Sequence, residues 1–256
     1  VEIAMNEPSR IVCWFSCGAA SAVATKLAIA ENKKLGLPLV IAYTEAAEEH
    51  PDNKRFLKDC EKWFGQEIVI IRNEKYSASI NEVFRKERYL VGPRGAACTR
   101  LLKKGMRIQF QQFGDRQVFG YTVEEQGRVD RFLDANADVD IWPLLIEHGL
   151  TKDDCLAIID RAGIELPVMY KMGYRNNNCI GCVKGGAGYW NKVRVDFPLV
   201  FVQRAKQERL LGVAICKVGD KRVFLDELPL DAGDYPSEPD IQCGIFCELA
   251  ELNIAA

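Results

Sequence analysis

Histidine is nearly missing from this chain, which has only His50 and His148 among 256 residues. That leaves little material for a histidine-rich metal site. His50, directly before Pro51, reads as a capping or packing residue, and His148 as a helix-end residue. No apolar run approaches the ~18 residues needed to cross a bilayer, and Val1–Arg10 does not read as a secretory signal. An excess of one charge sign is lacking too. Lys and Arg number 34 against 36 Asp and Glu, a formal net charge of −2 with a pI of about 5.9. This excludes a basic protein that coats nucleic acid indiscriminately, leaving only a local basic patch. There is no internal repeat or low-complexity tract. At 48% hydrophobic and 27% charged residues, the composition excludes disorder, collagen and coiled coil.

Cysteine, by contrast, is plentiful. The ten are Cys13, Cys17, Cys60, Cys98, Cys155, Cys179, Cys182, Cys216, Cys243 and Cys247. A secreted disulfide scaffold is short and loop-rich, whereas this chain is long enough for a large α/β domain. Reduced thiols in a cytoplasmic protein are the expectation, some in metal or sulfur chemistry. Cys13, Cys60, Cys155 and Cys216 lie in apolar strand-like or helix-like contexts and read as core.

The first half alternates strand and helix patterns. Strands are expected at Arg10–Phe15, Leu37–Tyr43, Glu67–Ile71 and Arg116–Gly120. Helices are expected at Ala22–Glu31, Asp52–Phe64, Ser79–Arg88 and Thr99–Phe113. This order predicts an α/β fold with a doubly wound, mostly parallel sheet, in which ligands sit beyond the carboxyl ends of the strands. The second half is less regular. Thr151–Ala162 reads as a helix capped by Thr151, Asn176–Gly188 as a Gly/Asn-rich loop, Tyr189–Leu211 as helix interrupted at Pro198, and Arg222–Leu225 as a short strand. The expected division is a nucleotide-binding domain over 1–175 and a cysteine-bearing, helical extension over 176–256.

Ser16-Cys-Gly-Ala-Ala-Ser21 separates the first strand from the first helix. Small residues let a backbone turn tightly and approach an anion, and a helix N-terminus adds free N–H groups and a positive dipole end. Cys179-Ile-Gly-Cys182 is a C-x-x-C turn able to bring two thiolates to one centre. By itself it fits an iron–sulfur cluster, structural zinc or a redox disulfide. Cys98 opens a helix amid Arg94, Arg100, Lys103, Lys104 and Arg107, cations that favour thiolate. The whole basic run from Arg85 to Arg107 reads as a solvated face or a phosphate-holding patch. Lys184, Tyr189 and Trp190 read as core or as a base-stacking platform.

The loop resembles the PP-loop of ATP pyrophosphatases, Ser-Gly-Gly-x-Asp-Ser, with Cys17 at the first Gly and Ala20 at the Asp. Later segments resemble the phosphoadenosine-phosphosulfate (PAPS) reductase family, including its DNA-phosphorothioation and phage-encoded branches. They are Tyr43-Thr-Glu45, Glu49-His-Pro-Asp52, Cys98-Thr-Arg-Leu-Leu-Lys103, Gly120-Tyr-Thr-Val-Glu-Glu125 with Arg128, and Leu166-Pro-Val-Met-Tyr170 leading to Gly173 and the C-x-x-C. Thr122 stands where that family has Arg. The resemblance covers roughly residues 10–185. It implies an adenine nucleotide α-hydrolase-like, Rossmann-like fold that binds ATP or a related adenine nucleotide, with Mg2+ as an option. The nucleotide contacts would be Ser16, Cys17, Gly18, Ala19, Ala20, Ser21, Thr44, Gly120, Arg128 and Lys103. Glu45 and Glu125 would be catalytic carboxylates.

The same resemblance implies a 4Fe–4S cluster on Cys98, Cys179 and Cys182. This chain has Ala97-Cys98 where iron–sulfur reductases carry two adjacent cysteines, so a further ligand must come from elsewhere. Cys243 either completes the set or, within Gln242-Cys-Gly-Ile-Phe246, resembles the nucleophile of the reductases' mobile tail. Cys247 is a substitute ligand or a free thiol. Three functions stay open. One is sulfur transfer to a substrate activated by adenylation, with a nucleic acid among the candidate acceptors and a separate sulfur donor. The second is reduction of a sulfonucleotide (PAPS or its non-phosphorylated analogue) with an external thiol reductant. The third is a non-catalytic nucleotide- and cluster-binding module.

Overall fold

The structure, a computed structural model, describes residues 8–93, 95–136 and 139–241. In chain order the strands are β1 (Arg10–Phe15), β2 (Leu39–Thr44), β3 (Ile68–Ile71), β4 (Val91–Gly92), β5 (Gly95–Ala96), β6 (Asp115–Val118), β7 (Asp140–Trp142), β8 (Cys216–Val218) and β9 (Lys221–Val223). The helices are α1 (Ala19–Leu35), α2 (Asn53–Phe64), α3 (Ile80–Glu87), α4 (Gly105–Phe110), α5 (Gln126–Ala135), α6 (Leu144–Glu147), α7 (Lys152–Arg161), α8 (Val168–Lys171), α9 (Ala187–Asp196) and α10 (Pro198–Leu211). The chain divides into two compact units. The first comprises 1–45, 51–72 and 106–177; the second comprises 46–50, 73–105 and 178–256.

The first unit holds a five-stranded parallel sheet of order β3-β2-β1-β6-β7, flanked by helices. It is a Rossmann-like, doubly wound α/β fold, as the alternation of patterns predicts. β1 is central and reads RIVCWF, apolar on both faces, as a parallel strand covered from both sides must be. α1 follows, rich in Ala, and ends where Gly36 takes a left-handed conformation at φ 67°. Ile11, Cys13, Phe15, Ala22, Phe56, Phe64 and Ile159 belong to one core cluster. Asp115 at the start of β6 receives Arg10 from the neighbouring strand, Nε to Oδ1 at 2.8 Å and Nη2 to Oδ2 at 2.6 Å. The fifth strand, β7, is three residues long and too short to show a periodicity. Its Asp140 accepts from Arg116 Nε across the pair at 2.8 Å.

The second unit is built from long-range pieces. The expected boundary at 175/176 falls at 177/178, but this unit also takes 46–50 and 73–105. Its segments are joined by hydrogen bonds distant in sequence: Ala47 N donates to Ala78 O at 2.8 Å, and Ile180 N to Glu48 O at 2.9 Å. Glu48 also caps α3 from outside, its carboxylate accepting from Ile80 N, Asn81 N and the Ser79 hydroxyl. Glu238 does the same for α9, accepting from Gly188 N at 2.6 Å and Tyr189 N at 3.1 Å. The helix expected over Thr99–Phe113 is a wide π-helical turn over Thr99–Lys104, followed by α4, which ends at Phe110. Tyr189–Leu211 is broken as expected, with Pro198 as the first residue of α10, a position where the missing N–H costs nothing. The strand expected at Arg222–Leu225 is β9, which ends at Val223; Leu225 opens a 3-10 turn. Among the described residues no helix is long and apolar enough to cross a membrane.

Two predictions follow from this packing. Asp115→Ala leaves a largely buried guanidinium without its carboxylate and is expected to cost about 3–5 kcal/mol in urea unfolding. The second concerns pH. Burial raises the thiols of Cys13, Cys60, Cys155 and Cys216, the last two to about 12. An unfolded thiol titrates near 8.5. Between that pH and the folded values, the unfolded chain releases protons that the folded chain keeps, so stability falls as pH rises. Each thiol contributes a slope of about 1.4 kcal/mol per pH unit. Urea midpoints at pH 8, 9 and 10 should decline, and less steeply in a Cys155→Ala, Cys216→Ala double variant.

Candidate functional site

The carboxyl end of the sheet in the first unit carries the loop Ser16–Ser21. Cys17 sits in the left-handed region at φ 55°, where the resembled motif has Gly. Its side chain is wholly buried, with Sγ 3.9 Å from Asn53 O. Asn177 Nδ2 donates to Cys17 O at 2.6 Å and to Asn53 Oδ1 at 2.8 Å. The loop is knotted by Ser21, whose hydroxyl accepts from Ser16 N and Ser16 Oγ, both at 3.1 Å, and donates to Gly18 O at 2.9 Å. Ser16 is exposed. Ala19 N donates to Tyr170 Oη at 3.3 Å. The first turn of α1 contains no acidic residue, and the Tyr170 hydroxyl is the side chain that meets its first N–H.

The sheet reverses its winding at β1, whose neighbours are β2 on one side and β6 on the other. Just past β6, Gly120 lies against the first turn of α1. A Cβ there would stand 2.4 Å from Ser21 N and 2.7 Å from Ala20 C, so only glycine fits without moving backbone. Thr44 is buried at the end of β2. Glu45 follows it, with Oε2 3.0 Å from Arg72 Nε. Thr122 and Glu125 form a capping box ahead of α5. Glu125 also receives Arg128 Nη1, and the Arg128 guanidinium lies 5.1 Å from the Tyr121 ring centre. Ser16–Ser21, Thr44, Glu45, Gly120, Glu125 and Arg128 thus all belong to the first unit. The two carboxylates expected to be catalytic each face an arginine, and Glu125 also holds its own turn together.

Lys103 belongs to the second unit, where its ammonium lies 3.8 Å from the buried Glu49. Neighbouring cations are also engaged: Arg85 with Glu82, Arg100 with Glu87 at 3.7 Å, and Lys86 with Lys75 O. Three cations of the basic run thus face carboxylates and Lys86 faces a carbonyl; Arg94 lies outside the described residues. Tyr189 and Trp190 are core residues, 3% and 0% exposed, not a stacking platform. Lys184 lines a cavity of about 630 Å3 with Lys217 and Arg222. His50 packs edge-on against Phe197, and His148 ends α6, as expected.

Cys98, Cys179 and Cys182 are brought into the second unit together, all buried and none in a disulfide. The C-x-x-C turn passes through Gly181 at φ 71°, where a Cβ would stand 2.5 Å from Val200 Cγ1 of α10. Cys182 N donates to Tyr189 Oη at 3.0 Å. Among the described residues no three His, Cys, Asp or Glu side chains are spaced to hold a metal ion. Cys243 and Cys247 lie outside the described residues. A soft all-thiol donor set suits an iron–sulfur cluster, in which each thiolate takes its own iron and the sulfurs need not share one point. Among the described residues magnesium finds no comparable set: Ala20 stands where the resembled motif has Asp, and Glu45 and Glu125 face arginines.

The residue that sequence reasoning missed is Arg204 on α10. It is 2% exposed, and its Nη2 donates to Gly181 O at 3.4 Å. In the sequence it is one cation in a helix with several, and nothing marks it as buried. The fold defines a doubly wound α/β protein. No protein-family model matches this chain, and no curated protein matches it either.

The tight approach of Gly120 gives a prediction. Gly120→Ala must push the end of β6 away from α1. It is expected to cost about 1–3 kcal/mol in urea unfolding, whereas Gly149→Ala, with open space around it, is expected to cost less despite its positive φ.

Proposed function

We propose that the chain binds an adenine nucleotide on Ser16–Ser21 and activates an acceptor by adenylation for sulfur transfer, with an iron–sulfur cluster on Cys98, Cys179 and Cys182. The observation that carries this reading is the topological switch point at β1, beside which the Ser16–Ser21 loop and the Gly120 backbone meet. Open α/β sheets bind their ligands at such a crevice. Support comes from the ends of three helices. Glu48 and Glu238 supply internal carboxylates to α3 and α9, whereas α1 has no acid in its first turn. A phosphate group fits there, against backbone N–H groups and the positive dipole end.

The chemistry is a displacement at the α-phosphorus. An acceptor oxygen attacks, the new P–O bond forms, and the bond to pyrophosphate breaks with its electron pair leaving on pyrophosphate. A nucleophilic sulfur at the sulfide level then attacks the activated atom, and AMP departs with the oxygen. When bound, the cluster supplies or positions that sulfur. The chain's own residues hold the reactants. Ser16 Oγ, exposed at the loop, would turn its single proton from Ser21 Oγ to phosphate; Ser21 keeps the loop closed through Ser16 N and Gly18 O; Arg128 lies over Tyr121 past the end of β6. A nucleic acid is among the acceptors to be tried, in keeping with the resemblance to the phosphorothioation branch.

Two measurements test this. Calorimetry with ATP should give about tenfold weaker binding for Ser16→Ala, the loss of one hydrogen bond to a charged group. Ser21→Ala should lose more, because it unties the loop. Unchanged affinity in both makes the loop structural only. Anaerobically purified protein should contain iron and sulfide and release pyrophosphate from ATP only when the acceptor is present. Sulfite release from a sulfonucleotide in place of pyrophosphate release would overturn the adenylation chemistry.

A further inference from the structure

Arg204 is a buried cation that makes no ion pair with a carboxylate among the described residues. It is 2% exposed. Nη1 donates to Gln207 Oε1, Nη2 donates to Gly181 O at 3.4 Å, and the guanidinium lies 4.7 Å from the Phe84 ring centre. Its Nε is buried and has no acceptor among the described residues. The adjacent carboxylate, Glu48, is taken up by Ser79, Ile80 and Asn81. Asn81 in turn accepts from Gln207 Nε2 at 3.2 Å, so the network that holds Arg204 in place is tied back to Glu48. Burial pushes the guanidinium below its ordinary value, and Cys98, Glu48, Cys182 and Tyr189 bear on it in the other direction.

An isolated charge taken out of water costs several kcal/mol, and removing water from a donor with no acceptor adds about 1–3 more. A guanidinium can donate but never accept. Its location identifies what would answer it. Nη2 is bonded to the residue between Ile180 and Cys182, at the C-x-x-C turn that packs against α10. Thiolates that hold iron carry negative charge, and sulfur accepts N–H donors. We propose that Arg204 is the buried counter-cation of the centre held by Cys98, Cys179 and Cys182, its Nε donating to a sulfur of that centre. The inference rests on the cluster reading given above and adds to it a positioning residue that no sequence motif marks. Arg204 acts by stabilising the anionic, thiolate-bound state.

The test uses the full chain, reconstituted anaerobically with ferrous iron and sulfide, as wild type, Arg204→Met, Arg204→Lys and the exposed control Arg209→Met. The wild type and the control should hold equal iron and sulfide. Arg204→Met should hold less than half as much, and the fraction that forms should be reduced at a more negative potential, because a positive charge beside it is lost. Arg204→Lys, which keeps the charge, should recover most of the iron. If Arg204→Met fails to fold by circular dichroism, pulsed EPR of the reduced wild type labelled with 15N-arginine decides. A guanidinium nitrogen coupling that is absent from Arg204→Lys supports the contact, and no coupling overturns it. Full iron content and an unmoved potential in Arg204→Met overturn this role while leaving the cluster in place. A wild type that takes up no iron and sulfide overturns the cluster and this role together.

Discussion

The architecture of the first unit turns on a near-contact between two backbones. At Gly120 the chain leaving β6 lies so close to Ala20 and Ser21 that no side chain fits between them. This closeness follows from parallel pairing. β1 and β6 run side by side, Arg10 opposite Asp115 through Cys13 opposite Val118, and both chains leave the sheet at the same edge. One becomes the first turn of α1 and the other the turn into α5. The crevice is therefore fixed by the register of the sheet rather than by loop side chains. Small residues at Gly18, Ala19 and Ala20 keep its floor low, which explains why the segment tolerates Ala where a carboxylate is otherwise used: shape survives that replacement, and charge does not.

Strain and burial are traded at the neighbouring residue. Cys17 holds a left-handed conformation that costs an L-residue about 1–2 kcal/mol. Offsetting this, its thiol is wholly buried and its carbonyl accepts from Asn177 Nδ2. The loop is thereby fastened to Asn53 at the start of α2 and to Asn177 at the end of the unit. A thiol so enclosed is a packing group.

Local pattern carries a great deal here. The apolar runs of β1 and β2, the Pro198 break, the Thr151 cap and the four core cysteines are all visible in sequence, because each depends on neighbours within a few residues. What was not legible depends on distance along the chain. β7 is three residues long and gains its identity from pairing with β6. Residues 46–50 and 73–105 join the C-terminal part through bonds such as Ile180 N to Glu48 O, spanning over a hundred residues. The same holds for the capping of α3 and α9. Sequence shows acids as isolated letters, and only the fold reveals that Glu48 and Glu238 occupy the helix ends that an external anion could otherwise use.

This occupancy bears on how the cysteines of the second unit should be read. A C-x-x-C turn near free helix ends and exposed lysines would have its negative charge met by whatever cation drifted near. Here the surrounding charges are already committed: Lys103 to Glu49, Arg100 to Glu87, Glu48 to α3. The one buried cation bonded to the turn is Arg204, and its Nε is unspent. Aliphatic packing alone would favour Leu or Met at that position of α10, since either fills the volume without a desolvation cost. On the cluster reading proposed above, the guanidinium there would answer negative charge arriving at Cys98 and Cys182, beside the Gly181 carbonyl, Gln207 and the Phe84 ring that already hold it.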